Sequence, residues 1–365
     1  MIMSGNDFKE CKMELWLNRA GAHGEYEEKF LDEGRVYLTW EDLNIDLSAL
    51  NTRDALMEIM KERFPDEKTS RLINHAGQIW SFAKVMAVND WVVLPSKKQP
   101  VIYIGRVTSQ YTHNPDGPAP FFHYRTVEWI GQEIPRTHFA QDLLYSFGAF
   151  MTICRIRRNN ALARVQAMRQ SGWQPETLAS ITKSANSTSL SSGQEQEVPG
   201  DENPEINIEE YARQQVIRLI ESKFKGHALT GLIAAILRAQ GYTVWQSPEG
   251  ADGGADILAS NGDMGFGSQR ICVEVKSGTG TTDRPTVDKL LGAMTKFNAT
   301  QGLFVSWGGF KQNVQKELAA SFFQLRLWTQ DDVLNALFSV YDKLDEDLKA
   351  LLPLQRTWTV VLSND

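Results

Sequence analysis

Cysteine, long apolar runs and a secretory leader are scarce or missing in this sequence, and each absence excludes a class of protein. Its three cysteines, Cys11, Cys154 and Cys272, are widely spaced and suggest neither a disulfide framework nor a zinc site. The longest mostly apolar run, residues 143–154, is far shorter than the roughly 20 residues that a bilayer requires. Charged residues interrupt the N-terminus before an apolar signal segment can form. We therefore expect a cytoplasmic protein that has no membrane partner.

An excess of basic residues is also missing. The chain has 38 Lys and Arg residues against 45 Asp and Glu residues, which gives a formal net charge of -7. This balance argues against a generic nucleic-acid coat protein, but phosphate contacts depend on local basic patches and not on the sum. Composition alone is therefore neutral on function. The length of 365 residues exceeds one ordinary core and predicts two domains.

The stretch from 171 to 207 has the composition of a linker. It is rich in serine and then in acidic residues, and it contains Pro199 and Pro204. Few of its residues could bury a core, so the stretch predicts a flexible connection. It separates two predicted domains, residues 1–170 and residues 208–345, and residues 346–365 are predicted to form a C-terminal tail.

The predicted secondary structure differs between the two domains. In the first domain we predict strands at 91–94, 101–107 and 124–130, and helices at 52–64 and from 141 towards 168. This pattern favours a small β-barrel or curved sheet flanked by helices. In the second domain we predict helices at 208–223, 229–240, 287–297, 311–321 and from 331, and strands at 242–245, 255–259, 271–276, 302–307 and 325–328. That order implies an α/β fold with a mixed sheet covered on both faces.

The strand predicted at 271–276 carries its charges on one face only. Side chains alternate along a strand, so Cys272, Glu274 and Lys276 share the face opposite the three apolar residues. Charges in an apolar strand are costly unless they are paired or bind something. The preceding strand opens around Asp256, and a turn near residues 261–263 allows the two strands to run side by side. We therefore expect the carboxylates of Asp256 and Glu274 to lie close together.

Two carboxylates and an ammonium at one place are suited to phosphodiester hydrolysis. Carboxylate oxygens hold Mg²⁺, which lowers the pKa of a bound water and offsets charge in the transition state. Lys276 could orient or deprotonate that water, or stabilise negative charge. Acid-any-lysine spacing alone is weak evidence, because it recurs at positions such as Asp7/Lys9 and Glu221/Lys223. The alternative for 274–276 is an edge strand with one solvated face.

These segments resemble the catalytic domain of Mrr-type restriction endonucleases, in the PD-(D/E)xK superfamily. The resemblance covers about residues 208–340 and rests on Asp252-Gly-Gly-Ala-Asp256, Val273-Glu274-Val275-Lys276, the helix at 287–294 and Gly302-Leu-Phe-Val-Ser306. It implies a restriction-endonuclease-like fold and DNA cleavage with Mg²⁺, for which Mn²⁺ could substitute. By position, Asp256 and Glu274 would be metal ligands and Lys276 the catalytic lysine, and Asp252 would be a turn residue or a further site residue.

One position departs from the Mrr-type pattern. Mrr-type domains usually place a Glu early in the helix that leads to the Gly-Tyr pair found here at 241–242, where this chain has Thr230 and Gly231. Glu221 and His227 lie nearby and are the candidates for an additional site residue. The alternative for His227 is a helix-capping or packing role.

The N-terminal domain is similar to the PUA-like and EVE-like small barrels that accompany some Mrr-type nucleases. The similarity rests on the segments 16–21, 90–95 and 104–107. It implies recognition of DNA and of a flipped, modified base, which requires an aromatic pocket and a few polar groups. The aromatic candidates are Trp16, Trp40, Trp80, Tyr111 and Trp129. The basic candidates are Arg19, Arg106 and a predicted helix that carries Arg157, Arg158 and Arg164. The alternatives are aromatics that fill the core and a solvated basic helical face.

The expected fold is a restriction-endonuclease-like mixed sheet flanked by helices, preceded by a small PUA-like β-barrel domain with helices. The expected function is a restriction or phage-defence endonuclease that binds DNA and cleaves its phosphodiester bonds. A homodimer is expected because double-strand cleavage is easiest with two active sites. Two alternatives remain open: a nuclease fold that binds nucleic acid without cutting, and a structure-specific nuclease that acts on junctions or RNA.

Overall fold

The computed structural model describes residues 13–149, 151–176, 208–250, 254–311, 314 and 321–357, with Glu210 lacking a described side chain. Its contacts divide the chain into two compact units. The N-terminal unit contains the described residues up to Ser96 and from Ile102 to 176, and the C-terminal unit contains Lys97–Val101 and the described residues from Ile208. Asp252, most of the predicted linker and most of the helix predicted at 311–321 lie outside the described residues.

The N-terminal unit is built on one curled sheet. Its strands are β1 (Leu15–Asn18), β2 (Arg35–Leu38), β3 (Trp91–Pro95), β4 (Val101–Val107), β5 (Thr112–His113), β6 (His123–Pro135) and β7 (Ile153–Arg155). The strand order is β2-β6-β4-β3-β1-β7, and β5 pairs with β6. β1 and β3 are parallel, whereas β7 runs antiparallel to β1. The path is open at both ends, so the predicted small barrel is a curled half-barrel.

Helices cover this sheet and enclose its core. They span Glu27–Asp32, Arg53–Arg63, Thr69–Trp80, Gln141–Phe147 and Ala161–Gln170, and a π-helical turn, Ser81–Val85, extends the third. The second begins after Thr52, whose side-chain oxygen accepts a hydrogen bond from the backbone N–H of Ala55. Alternate residues of the sheet, including Leu15, Leu17 and Ile104, are fully buried against the last two helices. This packing explains the strand and helix patterns of the sequence.

The prediction of continuous helical structure from 141 towards 168 is wrong. The first helix ends at Phe147, β7 follows at Ile153–Arg155, and the next helix begins at Ala161. The apolar run could be buried in either form, and pairing with β1 satisfies its backbone in the extended form. Asn159 and Asn160 have φ angles of 58° and 52°, left-handed conformations that interrupt a helix.

The C-terminal unit has a five-stranded mixed sheet, as predicted. Its strands are β8 (Thr243–Gln246), β9 (Ile257–Ser260), β10 (Arg270–Lys276), β11 (Gln301–Ser306) and β12 (Leu325–Trp328), in the order β12-β11-β10-β9-β8. β8, β9 and β10 are antiparallel, whereas β10, β11 and β12 are parallel. Its helices span Ile208–Lys223, His227–Ala239, Arg284–Lys296, Gln330–Val340 and Glu346–Leu351. The last helix lies in the predicted tail, and Leu352 after it is fully buried.

Helices pack against both faces of this sheet. Val273 and Val275 of β10 lie in a core with the helices Ile208–Lys223, His227–Ala239 and Gln330–Val340. Cys272 lies in a second core with the helix Arg284–Lys296. The predicted alternation along β10 is therefore confirmed, and it separates the apolar residues from the face that carries Glu274. Across the described ranges, no helix is long and apolar enough to cross a membrane.

Candidate active site

Asp256 and Glu274 lie at the same end of the antiparallel pair β9–β10. The last registered pair at this end is Ile257 with Val273, so Asp256 directly precedes β9 and Glu274 directly follows Val273 in β10. The backbone N–H of Asp256 donates to the carbonyl of Val273 at 3.0 Å. Both carboxylates therefore lie at the same end of the sheet, on adjoining strands.

The side chain of Asp256 is tied to β10. Its Oδ2 accepts a hydrogen bond of 2.7 Å from the backbone N–H of Val275, the residue between Glu274 and Lys276. The Asp256 carboxylate thus satisfies the N–H of Val275, which a backbone carbonyl would accept if β9 were longer. This bond fixes the orientation of the Asp256 carboxylate relative to β10.

Lys276 and Glu274 form an ion pair on the same face of β10. The Nζ of Lys276 lies 2.5 Å from Oε1 of Glu274. The Glu274 side chain is 17% exposed and the Lys276 side chain is 48% exposed. A half-exposed ammonium next to a mostly buried carboxylate can move without unfolding the strand.

The Cys272 thiol responds to both carboxylates. Burial, and to a smaller extent the negative charges of Glu274 and Asp256, raises its pKa to about 11. The thiol therefore stays protonated at neutral pH. Because both charges raise the pKa of the same thiol, Asp256 and Glu274 contribute to one region of negative potential. Such a region attracts a cation.

Two loops support the end of β10. The backbone N–H of Trp307 donates to the carbonyl of Lys276 at 2.8 Å. The loop at 307–309 also touches the loop at 278–282 through its backbone, since a Cβ on Gly308 would lie 2.3 Å from the carbonyl oxygen of Gly280. Only glycine fits at 308, so the two loops pack without an intervening side chain.

Glu221 lies on the core side of the sheet and contacts the residue after β11. Its Oε1 accepts hydrogen bonds from Nε1 of Trp307 at 3.0 Å and from Nε2 of Gln330 at 3.5 Å. Burial raises the pKa of the Glu221 carboxyl, and the bond from Trp307 offsets part of that rise. Trp307 belongs to the core that contains Val273 and Val275, the side away from Glu274. Glu221 therefore acts on β10 through Trp307.

Trp307 and Gln330 were not identified from the sequence, although a signal exists. Trp307 follows the strand that pairs in parallel with β10, and in a parallel pair the residues after both strands end at one edge. Gln330 opens a helix two residues after β12, so it reaches the same edge.

His227 begins the helix His227–Ala239 on the β8 side of Asp256. Its Nε2 lies 3.1 Å from Nε2 of Gln246, and Gln246 pairs with Ile257. The preceding residue, Gly226, donates its N–H to Oγ of Ser277 at 3.0 Å, which places the start of this helix beside the residue after Lys276. His227 therefore lies on the β8 side of the sheet end, and its polar partner is Gln246.

The residues present fit a divalent cation held by oxygen atoms. Asp256 and Glu274 supply two carboxylates, the donor type that Mg²⁺ prefers, and water and a phosphate oxygen normally complete its coordination. Within the described ranges, no group of three or more His, Cys, Asp or Glu side chains could hold a metal. Glu221 and His227 are therefore not grouped with the carboxylate pair.

The aromatic candidates of the N-terminal unit differ in exposure. Trp16 is 1% exposed, and its Nε1 donates to Oδ2 of Asp90 at 2.8 Å. This placement favours the core alternative for Trp16. Trp40, Trp80, Tyr111 and Trp129 are half-buried. Trp80 has the Nζ of Lys84 at 5.8 Å from its ring centroid, so it lies beside a cation.

The basic candidates also separate. Arg19 donates to the carbonyls of Phe147 and Ala149, and Arg164 is 3% exposed and forms ion pairs with Asp142 and Glu176. These contacts hold the unit together, which corrects the prediction that Arg164 lies on a basic helical face. Arg106 forms a half-exposed ion pair with Glu128. Arg157 is exposed and Arg158 is half-exposed, on the segment between β7 and the helix Ala161–Gln170.

Comparison with known proteins identifies similarity in both units. Residues 221–337 match the family model Mrr_cat, described as "Restriction endonuclease". Residues 14–147 match a domain of unknown function, DUF8426. No curated protein matches the chain.

Two solved structures resemble the chain at low identity. One is the MspJI restriction endonuclease in complex with a 27-mer oligonucleotide, with 14% identity, a TM-score of 0.31 and coverage of 93% of this chain and 79% of that chain. The other is the DNA modification-dependent restriction endonuclease AspBHI, with 13% identity, a TM-score of 0.32 and coverage of 88% and 80%.

Proposed function

We propose, from the premise that residues 221–337 constitute a restriction endonuclease domain of the Mrr type, that this protein is a Mg²⁺-dependent DNA endonuclease of a restriction or phage-defence system. The observation that carries the proposal is that the Asp256 carboxylate binds β10 at Val275, between Glu274 and Lys276, and that these two residues form an ion pair. All three lie at one end of the β9–β10 pair, with Asp256 directly before β9 and Lys276 as the last residue of β10.

Each of the three side chains has a separate role in the proposal. Asp256 and Glu274 would hold the metal ion, for which Mn²⁺ could substitute. When bound, such an ion activates water and neutralises charge on the phosphate. Lys276 would contact the attacking water or the phosphate oxygen, and its ammonium would stabilise the negative charge that develops there. The half-exposed side chain of Lys276 is long enough to leave Glu274 and turn to the substrate.

We assign Glu221 a positioning role. Its carboxylate lies against Trp307, and the backbone of Trp307 binds the carbonyl of Lys276. Glu221 therefore fixes the strand end that carries the lysine, without contact with the substrate. His227 would border the site on the β8 side, where its imidazole and Gln246 could contact DNA. Asp252, for which a turn or site role was predicted, lies outside the described residues.

The N-terminal unit is proposed as a DNA reader that delivers substrate to the nuclease. The half-buried Trp80 with Lys84, the exposed Arg157 and the half-exposed Arg158 are the described groups that support DNA contact. Duplexes with modified bases belong among the substrates to be tested, because a flipped base stacks on aromatic side chains. A homodimer would supply the two active sites of a double-strand cut.

Cleavage of plasmid and phage DNA, modified and unmodified, tests the nuclease under single-turnover conditions with Mg²⁺ or Mn²⁺. We expect Lys276→Ala to slow cleavage about 1,000-fold or more, because a charge-stabilising or proton-transferring group is lost. The matched control is Lys343→Ala, which removes the same charge from an exposed position of the C-terminal unit and should cleave like the wild type.

Metal binding provides the second half of the test. Calorimetric titration with Mn²⁺ should show binding that Asp256→Asn and Glu274→Gln each abolish while Lys343→Ala retains it. Asp256→Asn keeps an oxygen for the Val275 N–H, so the fold should survive the change. If the wild type cleaves no substrate and Lys276→Ala behaves identically, the nuclease proposal fails. DNA binding without Mn²⁺ uptake would point instead to a protein that binds nucleic acid without cutting it.

A further inference from the structure

A cavity of about 460 Å³ opens on the N-terminal unit, where β3, β4 and the helix Ala161–Gln170 meet. Arg106 comes from β4, Gln166 and Arg169 come from the helix, and Trp91 begins β3. The volume is in the range of small-ligand sites, and all four of these side chains carry N–H donors able to bind an oxygen.

Arg169 is held in this cavity by an aromatic ring. Its guanidinium lies 5.6 Å from the ring centroid of Trp91, whose own exposure is only 4%. Within the described ranges, no carboxylate forms an ion pair with Arg169. Stacking on a tryptophan orients the planar guanidinium and leaves its N–H groups at the edge. The charge is thus oriented by a neutral group and not cancelled by an acidic one.

Arg106 faces the same cavity with part of its donor capacity unused. Its Nε atom is buried and has no hydrogen-bond partner among the described residues. One terminal nitrogen pairs with Glu128 at 2.5 Å, with side chains 40% and 53% exposed. An exposed pair of this kind contributes little to stability and exchanges readily for another anion, whereas a buried unpaired N–H is costly.

The carboxylate that borders the cavity is already saturated. Oδ1 of Asp90 accepts from the backbone N–H of Glu14, and Oδ2 accepts from Nε1 of Trp16 and from the backbone N–H of Ala87. Asp90 is 3% exposed. Its lone pairs are therefore engaged on the interior side, and it offers no ligand to a cation. Glu128, which pairs with Arg106, has a side chain that is 53% exposed.

We propose that the cavity between Arg106 and Arg169 is an anion site that takes a phosphate of the DNA backbone. The inference rests on the proposed DNA-reading role of the N-terminal unit and deepens it. Two guanidinium groups match the geometry of phosphate oxygens, and the amide of Gln166 adds a neutral donor. A backbone phosphate is favoured over a free anion because the arginines are partly exposed at an open surface. Contact with the backbone carries no sequence information and would fix the position of the unit on any duplex.

The test is the salt dependence of DNA binding by the full-length protein. Fluorescence anisotropy with a labelled duplex in EDTA measures affinity without metal-dependent cleavage. Each phosphate contact contributes about 0.9 to the slope of log affinity against log salt concentration. We expect Arg169→Ala and Arg106→Ala each to lower this slope by about 0.9, and the double variant by about 1.8, equally for modified and unmodified duplexes.

Matched variants separate this role from folding and net charge. Arg63→Ala removes an exposed arginine of the same unit, whose NH1 donates to a backbone carbonyl, and should leave the slope unchanged. Arg169→Lys keeps the charge but loses the planar fork, so it should recover only part of the affinity. The thermal midpoint of each variant shows whether the unit remains folded.

Three outcomes would overturn the inference. The first is an unchanged slope in both Arg169→Ala and Arg106→Ala while the wild type binds DNA. The second is calorimetric binding of inorganic phosphate that Arg169→Ala abolishes without a change of slope, which would identify a free-anion site. The third is a wild type that binds no duplex at low salt, which would also remove the reader role. Cleavage by the wild type and Lys276→Ala reports on the nuclease alone, so the two failures are distinguishable.

Discussion

The two units use charged side chains in opposite ways. In the N-terminal unit, Arg164 is 3% exposed and Arg125 is 1% exposed, and each is surrounded by hydrogen-bond acceptors. In the C-terminal unit, Glu274 and Lys276 stand at the end of a strand, partly exposed and in contact with each other. A buried charge that is saturated with partners holds a fold together, whereas a partly exposed charge on an apolar strand remains available to a ligand.

Arg164→Met provides the strongest test of this contrast. Arg164 binds Glu176 through two nitrogens at 2.8 and 2.9 Å and also binds Asp142. Removing the cation leaves the Glu176 carboxylate, 4% exposed, buried without its partner. Because Asp142 is 46% exposed, most of the loss should come from Glu176. We expect the free energy of unfolding of this unit to fall by about 3–5 kcal/mol, measured by urea denaturation.

Arg157→Ala is the control for this experiment. Arg157 is exposed and lies only seven residues before Arg164, on the segment first predicted to be part of one basic helix. The free energy of unfolding of the Arg157→Ala variant should stay within about 0.5 kcal/mol of the wild-type value. Equal losses in both variants would contradict the distinction between buried and surface arginines.

Trp16→Phe sharpens the contrast for the aromatic residues. The change keeps an aromatic ring in the core but removes the N–H that binds Asp90 at 2.8 Å. Because the acceptor is a buried carboxylate, we expect a loss of about 1.5–3 kcal/mol in the free energy of unfolding. DNA affinity measured by anisotropy should not change beyond what unfolding explains. A loss of affinity with unchanged stability would restore Trp16 as a base-contacting residue.

Glu221→Gln gives the smallest expected effect, and its signature is a pH dependence. Because the pKa of Glu221 is raised in the folded protein, the folded protein binds more protons than the unfolded chain at pH values above the ordinary pKa of 4.5. The contribution of Glu221 to stability is therefore full below pH 4.5 and is lost as pH rises through the folded pKa. Glutamine keeps an oxygen acceptor for Trp307 and has no charge, so the stability of Glu221→Gln should not decline with rising pH in this way.

Thermal unfolding of wild type and Glu221→Gln at about pH 5 and about pH 8 measures the difference. Glu221→Leu removes the acceptor and should instead reduce the rate of cleavage with little change in KM, because the strand end that carries Lys276 loses its support. If Glu221→Gln abolished Mn²⁺ binding, Glu221 would be a metal ligand and the positioning role would be wrong.

Much of the C-terminal unit could be predicted because its patterns are local. The helix Ile208–Lys223 and the strand Leu325–Trp328 have the predicted bounds. The alternation of β10 assigned Val273 and Val275 to the core and Glu274 to the other face. Strand periodicity of two determines these faces directly, so neighbouring residues carry the information.

The contacts that depend on distant parts of the chain could not be predicted. The pairing of Glu221 with Trp307 joins residues that are 86 positions apart. Ile153–Arg155 is a strand only because β1 provides a partner, and its apolar composition suits a helix equally well. Trp16 and Trp80 are both aromatic candidates by composition, yet only the fold shows that one is buried and the other is partly exposed. Composition supplied candidates, and three-dimensional packing separated them.

The backbone contact at Gly308 limits how this site can diversify. A methyl group there would lie 2.3 Å from the carbonyl oxygen of Gly280, so neither loop can shift or lengthen without moving the other. Insertions that alter substrate preference are therefore confined to other borders of the sheet. The turn between β9 and β10 is one such border, since Met264 and Phe266 are 84% and 79% exposed. Variation among relatives should concentrate at this turn, while the paired loops keep constant length.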